Sequence, residues 1–311
     1  MTTPPPLIRV ATEHERHKAL ELVLRPLPPE SRGPLLDALA NAQTHPLGPL
    51  DALLVAISGH QIVAATWAQP SPGKAAALWP PEWARKRPKD AQRVESALLA
   101  NAIQACDAAG VAMTQTLFER SDDARIASLL TAGYYKIATL LYLGRSIRGA
   151  DSKASADETL TFEPYSPREH ARLKRLLTST YIDSLDCPGL DAYRDLDDVL
   201  AGYRATGVYD PQHWLIASRE GEDVGVVLVA EHSGTEQAEL IYMGLTPEAR
   251  GQGFGMRLVH QAIATAATIG VDQLMVAVDE GNKPARRVYE RAGFAAWAKR
   301  YVYVRPRGGL R

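Results

Sequence analysis

The amino-acid sequence predicts an α+β protein in which one arrangement of strands and helices occurs twice. Strand-like alternation and helix-like periodicity follow each other in the order β-α-α-β-β-β-α-β-α-β in each half of the chain. Residues 148–158 are small, polar and almost free of large apolar groups, which indicates a linker. A fixed offset of 160 positions aligns the halves without a gap, and it places Leu258, Ile263, Gly270 and Val271 on Leu98, Ile103, Gly110 and Val111. We therefore expect two domains of the same fold.

The first half alternates between short strands and longer helices. Predicted strands cover residues 7–11, 52–58, 62–68, 75–79, 112–118 and 134–143, and predicted helices cover residues 13–24, 30–40, 90–109 and 122–132. Turn residues at Gly59-His60 and Pro70-Ser71-Pro72-Gly73 separate the middle strands.

The second half repeats this series. Predicted strands cover residues 160–165, 213–218, 224–231, 239–245 and 273–279, and predicted helices cover residues 167–180 and 195–205. A third helix follows a glycine-rich loop, because apolar residues recur there at helical spacing, namely Phe254, Leu258, Val259, Ala262, Ile263 and Ala266.

Composition limits the class of protein. A chain of 311 residues suits two domains of ordinary size, and 46% hydrophobic with 23% charged residues is typical of a globular protein. The net charge of −1 gives no general attraction for nucleic acid or an anionic membrane, so we expect small-molecule partners. Cys106 and Cys187 are too few for a disulfide framework or a zinc site, which favours a reducing, cytoplasmic compartment and no metal. Neither a signal peptide nor a transmembrane segment is expected.

The strongest functional signal is the loop Arg250-Gly251-Gln252-Gly253-Phe254-Gly255, which joins a predicted strand to a predicted helix. A helix N-terminus presents unpaired N–H groups and the positive end of the helix dipole, and glycines let a phosphate approach those groups closely. The ligand expected here is a pyrophosphate. No Lys-Ser/Thr follows the glycines, as a P-loop NTPase requires, and the glycine spacing does not fit the dinucleotide-binding fingerprint.

The loop begins a longer series of motif elements. The pattern Arg-x-x-Gly-x-Gly is followed by the strand 273–279, by Asn282, Ala285 and Tyr289, and by the turn Ala292-Gly293-Phe294. This series resembles the GNAT N-acetyltransferase superfamily, whose members bind acetyl-coenzyme A. The resemblance covers roughly residues 160–304. It implies a mostly antiparallel mixed sheet flanked by helices, an intact GNAT domain at residues 159–311 and, through the internal repeat, a GNAT-like domain at residues 1–147.

The resemblance also implies a set of cofactor-binding residues. Backbone N–H groups of the loop would hold the pyrophosphate of acetyl-coenzyme A, and these belong to Arg250, Gly251, Gln252, Gly253, Phe254, Gly255 and Met256. The strand before the loop would pair with the pantetheine arm at Met243, Gly244 and Leu245, and the N–H of Leu245 or its neighbour would polarise the thioester. Asn282 would contact the pantetheine, and Ala285 would leave room for it.

Two residues are candidates for proton transfer. Tyr289 lies two helical turns after Asn282, on the same side of a helix, where its hydroxyl can protonate the sulfur of coenzyme A; the alternative is a packed core aromatic. Glu239 is placed similarly to the catalytic glutamate of histone-type members and is the candidate base; the alternative is an exposed polar residue at the start of a strand.

The chemistry of the loop is absent from the first half. At the offset of 160, Arg250, Gly253 and Gly255 correspond to Asp90, Arg93 and Glu95, and Tyr289 corresponds to Leu129. Side chains replace the glycines, and two carboxylates would face the pyrophosphate. We therefore expect a degenerate first domain that does not bind coenzyme A, in an arrangement similar to that of mycothiol synthase.

The acceptor is not specified by any motif. The segment 180–190 commonly covers the acceptor cleft in this superfamily, and here it contains Tyr181, Asp183, Ser184 and Asp186, which suit a polar or cationic acceptor or only local turns. Cys187 has no histidine nearby in sequence and is not expected to be a nucleophile. The function predicted is acetyl transfer from acetyl-coenzyme A to a primary amine of a small molecule; the alternatives are a non-catalytic acyl-coenzyme A sensor or a scaffold. The oligomeric state is left open, with a monomer as one option.

Overall fold

The computed structural model describes residues 5–27, 32, 48, 50–148, 159–189 and 193–309. The chain divides into two compact units, Met1–Ile137 with Val302–Arg311, and Ala138–Tyr301. Apart from residue 32, the predicted helix at residues 30–40 lies outside the described residues, and so does nearly all of the predicted linker.

The first unit is built on strands in the order β1-β2-β3-β4-β5. The first four strands pair antiparallel, and β4 pairs parallel with β5. Helix α1 packs Leu20 and Val23 in one core with Leu53 and Trp67 of the sheet. The elements are β1 (Leu7–Val10), α1 (Glu13–Val23), β2 (Leu53–Ser58), β3 (Gln61–Ser71), β4 (Ala75–Trp83), α2 (Ala91–Ala108), β5 (Met113–Phe118) and α3 (Ile126–Thr131).

The second unit is a mixed sheet in the order β12-β6-β11-β10-β9-β8-β7, in which β10 and β11 run parallel. Its elements are β6 (Tyr135–Ser146), β7 (Thr161–Pro164), α4 (His170–Tyr181), α5 (Leu196–Arg204), β8 (Trp214–Arg219), β9 (Glu222–His232), β10 (Gln237–Leu245), α6 (Phe254–Ile269), β11 (Gln273–Asp279), α7 (Lys283–Arg291) and β12 (Ala295–Pro306). Strands β6 and β12 are divided between the units, and residues 138–146 of β6 and 295–301 of β12 belong to this one.

Alternation along the strands buries both faces of this sheet. Val227 and Val229 of β9 pack in one core with Leu258 of α6, while Val226 and Leu228 pack in another with residues of α4 and α5. A period of two residues on strands and 3.6 on helices is therefore enough to place helices on both sides. The predicted fold class, two α+β arrangements of mixed sheet and flanking helices, is confirmed.

The two units do not follow the two halves of the sequence. Strand β6, which ends the first half, pairs antiparallel with β11 of the second unit over seven residue pairs, from Leu140 with Asp279 to Ser146 with Gln273. Conversely, residues 302–311 belong to the first unit, where the Arg305 guanidinium donates to both carboxylate oxygens of Asp107 at 3.0 Å. The domain boundaries at residues 147 and 159 describe the sequence repeat and stay a prediction.

No helix in the described part of the chain is long and apolar enough to cross a membrane.

The composition of the second unit leads to a prediction about fragments. A fragment of residues 159–309 lacks β6, so one edge of β11 loses its partner and Leu143 leaves the core. We expect this fragment to show no cooperative unfolding in urea, followed by circular dichroism. A fragment of residues 135–309 restores the strand and should unfold cooperatively. Equal transitions for the two fragments would contradict this reading of the fold.

Candidate active site

Strands β10 and β11 separate after a short parallel start. They pair only at Gln237–Glu239 and Gln273–Met275, although β10 continues to Leu245 and β11 to Asp279. A register shift between Leu240 and Tyr242 against β9 marks a bulge, which bends a strand away from its neighbour. Beyond the third pair, the facing edges of the two strands have no strand partner among the described residues, and a cleft opens between them.

The glycine loop presents a row of backbone donors beside this cleft. Gly251 and Gly253 have φ of 75° and 84°, in the left-handed region that favours glycine, and a Cβ built on either would meet no atom within 4 Å. Gly253 is the N-cap of the sixteen-residue helix α6. Within the described residues, nothing accepts a hydrogen bond from the N–H groups of residues 251–255. The loop therefore combines free donors with the positive end of a helix dipole.

Two of the predicted loop donors are already engaged. The N–H of Arg250 donates to Pro247 O at 3.3 Å, and the N–H of Met256 donates to Gly253 O at 3.2 Å. The Arg250 side chain has a role that sequence reasoning missed, because its guanidinium donates to the carbonyls of Leu245 at 3.2 Å and Thr180 at 2.9 Å. It thereby ties the end of β10 to the end of α4. An arginine in a loop motif gives no sequence signal for a contact 70 residues away.

A cavity of about 630 Å³ fills the cleft. Most of the predicted cofactor-binding residues line it, namely Met243, Gly244, Leu245, Arg250, Gly251, Gly253, Gly255, Met256, Asn282 and Ala285. Gln252 and Phe254 lie beside the cavity without lining it, since the Gln252 amide bonds to Arg219 and Glu248 and the Phe254 ring packs in the core. Asn282 also caps α7, because its Oδ1 accepts from the N–H of Ala285 at 3.2 Å.

Tyr289 reaches the cavity from α7. Its ring is 5% exposed and packs edge-on against Phe294, with 5.6 Å between the ring centroids. Tyr289 lines the cavity, and its hydroxyl has no hydrogen-bond partner among the described residues. Burial, with a smaller contribution from the Asp186 charge, raises the pKa of Tyr289, so the phenol keeps its proton at neutral pH.

Glu239 lies on β10 at the last residue paired with β11, just before the cleft opens. Its side chain does not line the cavity, and its Oε2 lies 3.0 Å from Nε2 of His232. This hydrogen bond to Glu239 raises the pKa of His232, because the carboxylate favours the imidazolium. The structure therefore places the two predicted catalytic residues at different positions relative to the cavity, Tyr289 on its wall and Glu239 outside it.

All the residues that line the cavity lie in one segment of the chain, and this segment matches a known family. Residues 172–294 match the model of the acetyltransferase (GNAT) family. We call this matched segment the GNAT domain. The GNAT match begins in α4 and ends at the turn before β12, so it contains the glycine loop, both separating strands and α7.

Curated relatives of the GNAT domain are named mycothiol acetyltransferases. The protein of Thermobispora bispora is 36% identical over 102 residues, which are 31% of this chain and 35% of the relative. That of Thermomonospora curvata is 26% identical over 193 residues, which are 61% of this chain and 63% of the relative. The chain spans about a third of the length of the first relatives that it matches.

Solved structures extend the likeness of fold over nearly the whole chain. A GCN5-related N-acetyltransferase from Sphaerobacter thermophilus has a TM-score of 0.65 at 13% identity and covers 98% of this chain and 96% of its own. A tandem GNAT protein from the clavulanic acid biosynthesis pathway has a TM-score of 0.53 at 14% identity and covers 98% and 100%. At such identities the likeness concerns the fold alone.

Three tyrosines from different elements of the GNAT domain contact one another. The Tyr242 ring stacks on Tyr203 at 5.8 Å and meets Tyr181 edge-on at 5.4 Å, and the hydroxyls of Tyr181 and Tyr203 are 3.0 Å apart. Tyr242 also bonds to the Thr180 hydroxyl at 2.9 Å. These three side chains come from α4, α5 and β10, so their meeting could not be predicted from sequence spacing.

The segment predicted to cover the acceptor cleft contacts the open end of β11. Asp183, Ser184 and Asp186 line the cavity, and Oδ1 of Asp186 accepts from the N–H of Asp279 at 2.9 Å. Burial within the cleft raises the pKa of Asp186. Burial and the neighbouring Asp186 raise the pKa of the Cys187 thiol to about 12, which keeps the thiol protonated at neutral pH. No cluster of three or more metal-binding side chains occurs within the described ranges.

In the first unit, the positions equivalent in sequence to those that line the GNAT cavity carry side chains that bond to one another. Strands β4 and β5 also pair at only three residue pairs, from Ala75 with Met113 to Ala77 with Gln115. At the offset of 160, the residues Glu82, Trp83, Glu95, Arg125 and Ser128 correspond to Tyr242, Met243, Gly255, Ala285 and Val288, all of which line the cavity of the second unit.

These side chains bond to one another. Glu95 is fully buried and accepts from Arg87 Nε at 2.7 Å, from Trp83 Nε1 at 2.8 Å and from Ser128 Oγ at 2.6 Å. Arg125 pairs with Glu82 and with Asp123. Burial disfavours the charge on Glu95, but the bonds from Arg87, Ser128 and Trp83 outweigh burial and lower the pKa of the carboxyl. At the positions where the second unit has glycine and a cavity, the first unit thus has a cluster of hydrogen-bonded charged residues.

This cluster leads to a prediction about stability. Glu95→Ala should lower the free energy of unfolding by about 2–4 kcal/mol, because it leaves buried donors of Trp83 and Ser128 and the Arg87 charge without an acceptor. Urea denaturation of the full chain measures this. Arg120→Ala is the control, because Arg120 pairs with Asp122 on the surface and should change little.

The dependence on pH follows from the lowered pKa. A carboxyl with a lower pKa in the folded than in the unfolded chain stabilises the fold above its unfolded pKa, and this stabilisation is lost as pH falls through the folded pKa. The difference in unfolding free energy between wild type and Glu95→Gln should therefore be larger at about pH 7 than at about pH 3. A difference independent of pH would contradict the charge-based account of the cluster.

Proposed function

We propose that the protein is an acetyl-coenzyme A-dependent N-acetyltransferase and that residues 159–311 catalyse acetyl transfer to a primary amine of a small molecule. One observation carries the proposal. The free N–H groups of residues 251–255 lie beside a cavity whose wall includes an unpartnered phenol, Tyr289. A diphosphate suits the donors, and a thioester suits the phenol.

The cofactor would be held almost entirely by the backbone. Its pyrophosphate would accept from the N–H groups at residues 251–255, where the dipole of α6 adds a favourable field. The pantetheine arm would pair with the open edge of β10 at Met243, Gly244 and Leu245. Asn282 lines the same cavity, and Ala285 contributes only a methyl group to the wall.

The chain would then supply three contributions to chemistry. Glu239, at the closed end of the cleft, would accept the ammonium proton directly or through water. The N–H of Leu245 or its neighbour would stabilise the oxyanion that forms when the amine attacks the thioester carbon. The C–S bond then breaks, Tyr289 gives its proton to the departing thiolate, and the proton released by the attacking nitrogen restores the phenol through solvent. Overall, one ammonium and one thioester give one amide, one thiol and one proton.

The first half would not bind the cofactor. The positions that would form its cavity are occupied by Glu95, Trp83 and Ser128, and a carboxylate at the position of Gly255 would repel a diphosphate. The division into a degenerate domain at residues 1–147 and an intact one at 159–311 belongs to this proposal. The acceptor of the mycothiol acetyltransferases is one candidate acceptor, because relatives of that name align with the GNAT domain.

Gly253→Ala tests the cofactor site. The substitution adds a methyl group to the row of donors at a φ of 84°, so it should destabilise the fold by about 1–2 kcal/mol and weaken acetyl-coenzyme A binding by about tenfold or more. Isothermal titration of the full chain gives the affinity and the stoichiometry, which should be one cofactor per wild-type chain.

Gly270→Ala is the matched control. Gly270 ends the same helix at a φ of 90°, also with no atom within 4 Å of a built Cβ, so the backbone strain is equivalent while the donors are untouched. Its affinity for acetyl-coenzyme A should equal that of the wild type. If both substitutions weakened acetyl-coenzyme A binding equally, backbone strain, rather than the N–H donors of the glycine loop, would control the affinity.

Tyr289→Phe tests catalysis. The lost hydroxyl has no partner among the described residues, so the melting temperature and the affinity for acetyl-coenzyme A should not change, whereas kcat should fall about 10²-fold or more. Thiol release is measured with small amines, amino acids and aminosugars. Tight binding of acetyl-coenzyme A without thiol release from any of them would favour a sensor, and no binding at all would favour a scaffold.

A further inference from the structure

One face of the second unit is open where β6, β10 and β11 lie side by side. In this sheet, directly paired residues point to the same face, and Tyr142 pairs with Ala277, Gly144 with Met275, and Met275 with Glu239. All five are partly exposed, whereas the alternating residues are buried, as Leu143, Leu274 and Val276 are. We call these five residues, together with Trp297 of β12, the open face.

The open face adjoins the cofactor cavity. Ala277 belongs to both, because it lines the cavity and pairs with Tyr142. Glu239 lies at the last pair before β10 and β11 separate, which is the closed end of the cleft. Gly144 has no side chain and Ala277 has only a methyl group, so these two positions project little from the sheet. A molecule on the open face would therefore reach the closed end of the cleft, where a thioester would lie.

Two polar groups on the open face have unused hydrogen-bonding capacity within the described chain. The Tyr142 hydroxyl has no hydrogen bond, and only one carboxylate oxygen of Glu239 is engaged, by His232. Burial, together with the Glu239 charge, raises the pKa of Tyr142, so its hydroxyl stays a donor at neutral pH. The guanidinium of Arg300 lies 6.0 Å from the Tyr142 ring centroid.

Trp297 adds a large flat surface. Its indole is 59% exposed and meets the Tyr142 ring edge-on, with 5.8 Å between centroids, and it also lies over Gly144. An exposed indole gains free energy when an apolar or cationic group covers it. A rigid ring covers such a surface with less loss of conformational freedom than an open chain does.

We propose that the open face binds the amine acceptor, and that this acceptor is a small primary amine built on a ring, which lies on Trp297 with its ammonium at Glu239. The inference rests on the proposed acetyl transfer and names its substrate class. The Glu239 carboxylate complements an ammonium, and the Tyr142 hydroxyl donates to an oxygen on the ring.

The first half of the sequence thereby contributes to binding of the acceptor in the second unit. Tyr142 and Gly144 belong to β6, which precedes the linker in sequence and pairs with β11. A half without its own cofactor loop would still supply acceptor-binding residues. This gives the degenerate half a role in selecting the substrate.

The test compares ring-bearing and open-chain amines on the full chain. Glucosamine and tyramine are the ring probes, and ethanolamine and 1,4-diaminobutane are the open-chain probes, each with saturating acetyl-coenzyme A. We expect the wild type to prefer the ring probes in kcat/KM. Trp297→Leu should raise KM for them about tenfold, with kcat and the acetyl-coenzyme A affinity unchanged, while Trp297→Phe keeps an aromatic face and should stay within about threefold of the wild type.

Further variants separate this role from a structural one. Tyr142→Phe should raise KM of glucosamine about fivefold through loss of one hydrogen bond. Leu130→Ala, which truncates a similarly exposed apolar side chain of the first unit, should change neither parameter. The melting temperature of each variant is measured in parallel.

Each alternative result overturns a stated part. Thiol release that favours open-chain amines, or is unaffected by Trp297→Leu, overturns the acceptor assignment and leaves acetyl transfer standing. Loss of acetyl-coenzyme A affinity in Trp297→Leu would assign the indole to the cofactor instead. A difference in molecular mass between Trp297→Leu and the wild type, measured by sedimentation, would assign the open face to contact with a second copy of the chain. No thiol release with any amine overturns both proposals.

Discussion

The early separation of β10 from β11 is the constraint on which the second unit depends. Backbone N–H and C=O groups inside a protein are costly to leave unpaired, and here the two strands give up their pairing after Glu239. The neighbours keep the cleft from closing. Gly244 allows Thr180 to pack against β10, since a built Cβ would lie 2.8 Å from Thr180 Cβ, and Arg250 fixes the strand end. A ligand with donors and acceptors along its length gains the bonds that the strands leave open.

The two halves show what the same backbone does with different side chains. Strands β4 and β5 separate as early as β10 and β11 do, so the opening is a property of the shared fold. In one half the space remains a cavity, and in the other Glu95 and its donors occupy it. The difference lies in a few residues at equivalent positions, above all glycine against glutamate. Loss of the glycines and gain of an internal charge cluster are thus two aspects of one change.

Local sequence patterns were enough to predict the fold and the conformation of the glycine loop. Contacts between residues far apart in sequence could not be predicted. The helix after the glycines and the left-handed loop follow from spacing and from the freedom of Gly251 and Gly253, which are properties of adjacent residues. The guanidinium of Arg250 reaching Thr180, and the meeting of Tyr181 with Tyr242, join segments about 60 to 70 residues apart, for which one sequence carries no signal. The pairing of β6 with β11 was also hidden, because a repeat detected by offset implies that each copy keeps its own last strand.

The position of β6 has a consequence for the order of assembly during synthesis. Residues 138–146 emerge well before β11, so this edge must wait, unpaired, for a partner more than 120 residues further along the chain. The first unit waits longer still, because it includes residues 302–311. The first unit therefore cannot be completed until the whole second unit has been synthesised, and β6 is exposed to non-native strand pairing until β11 has emerged.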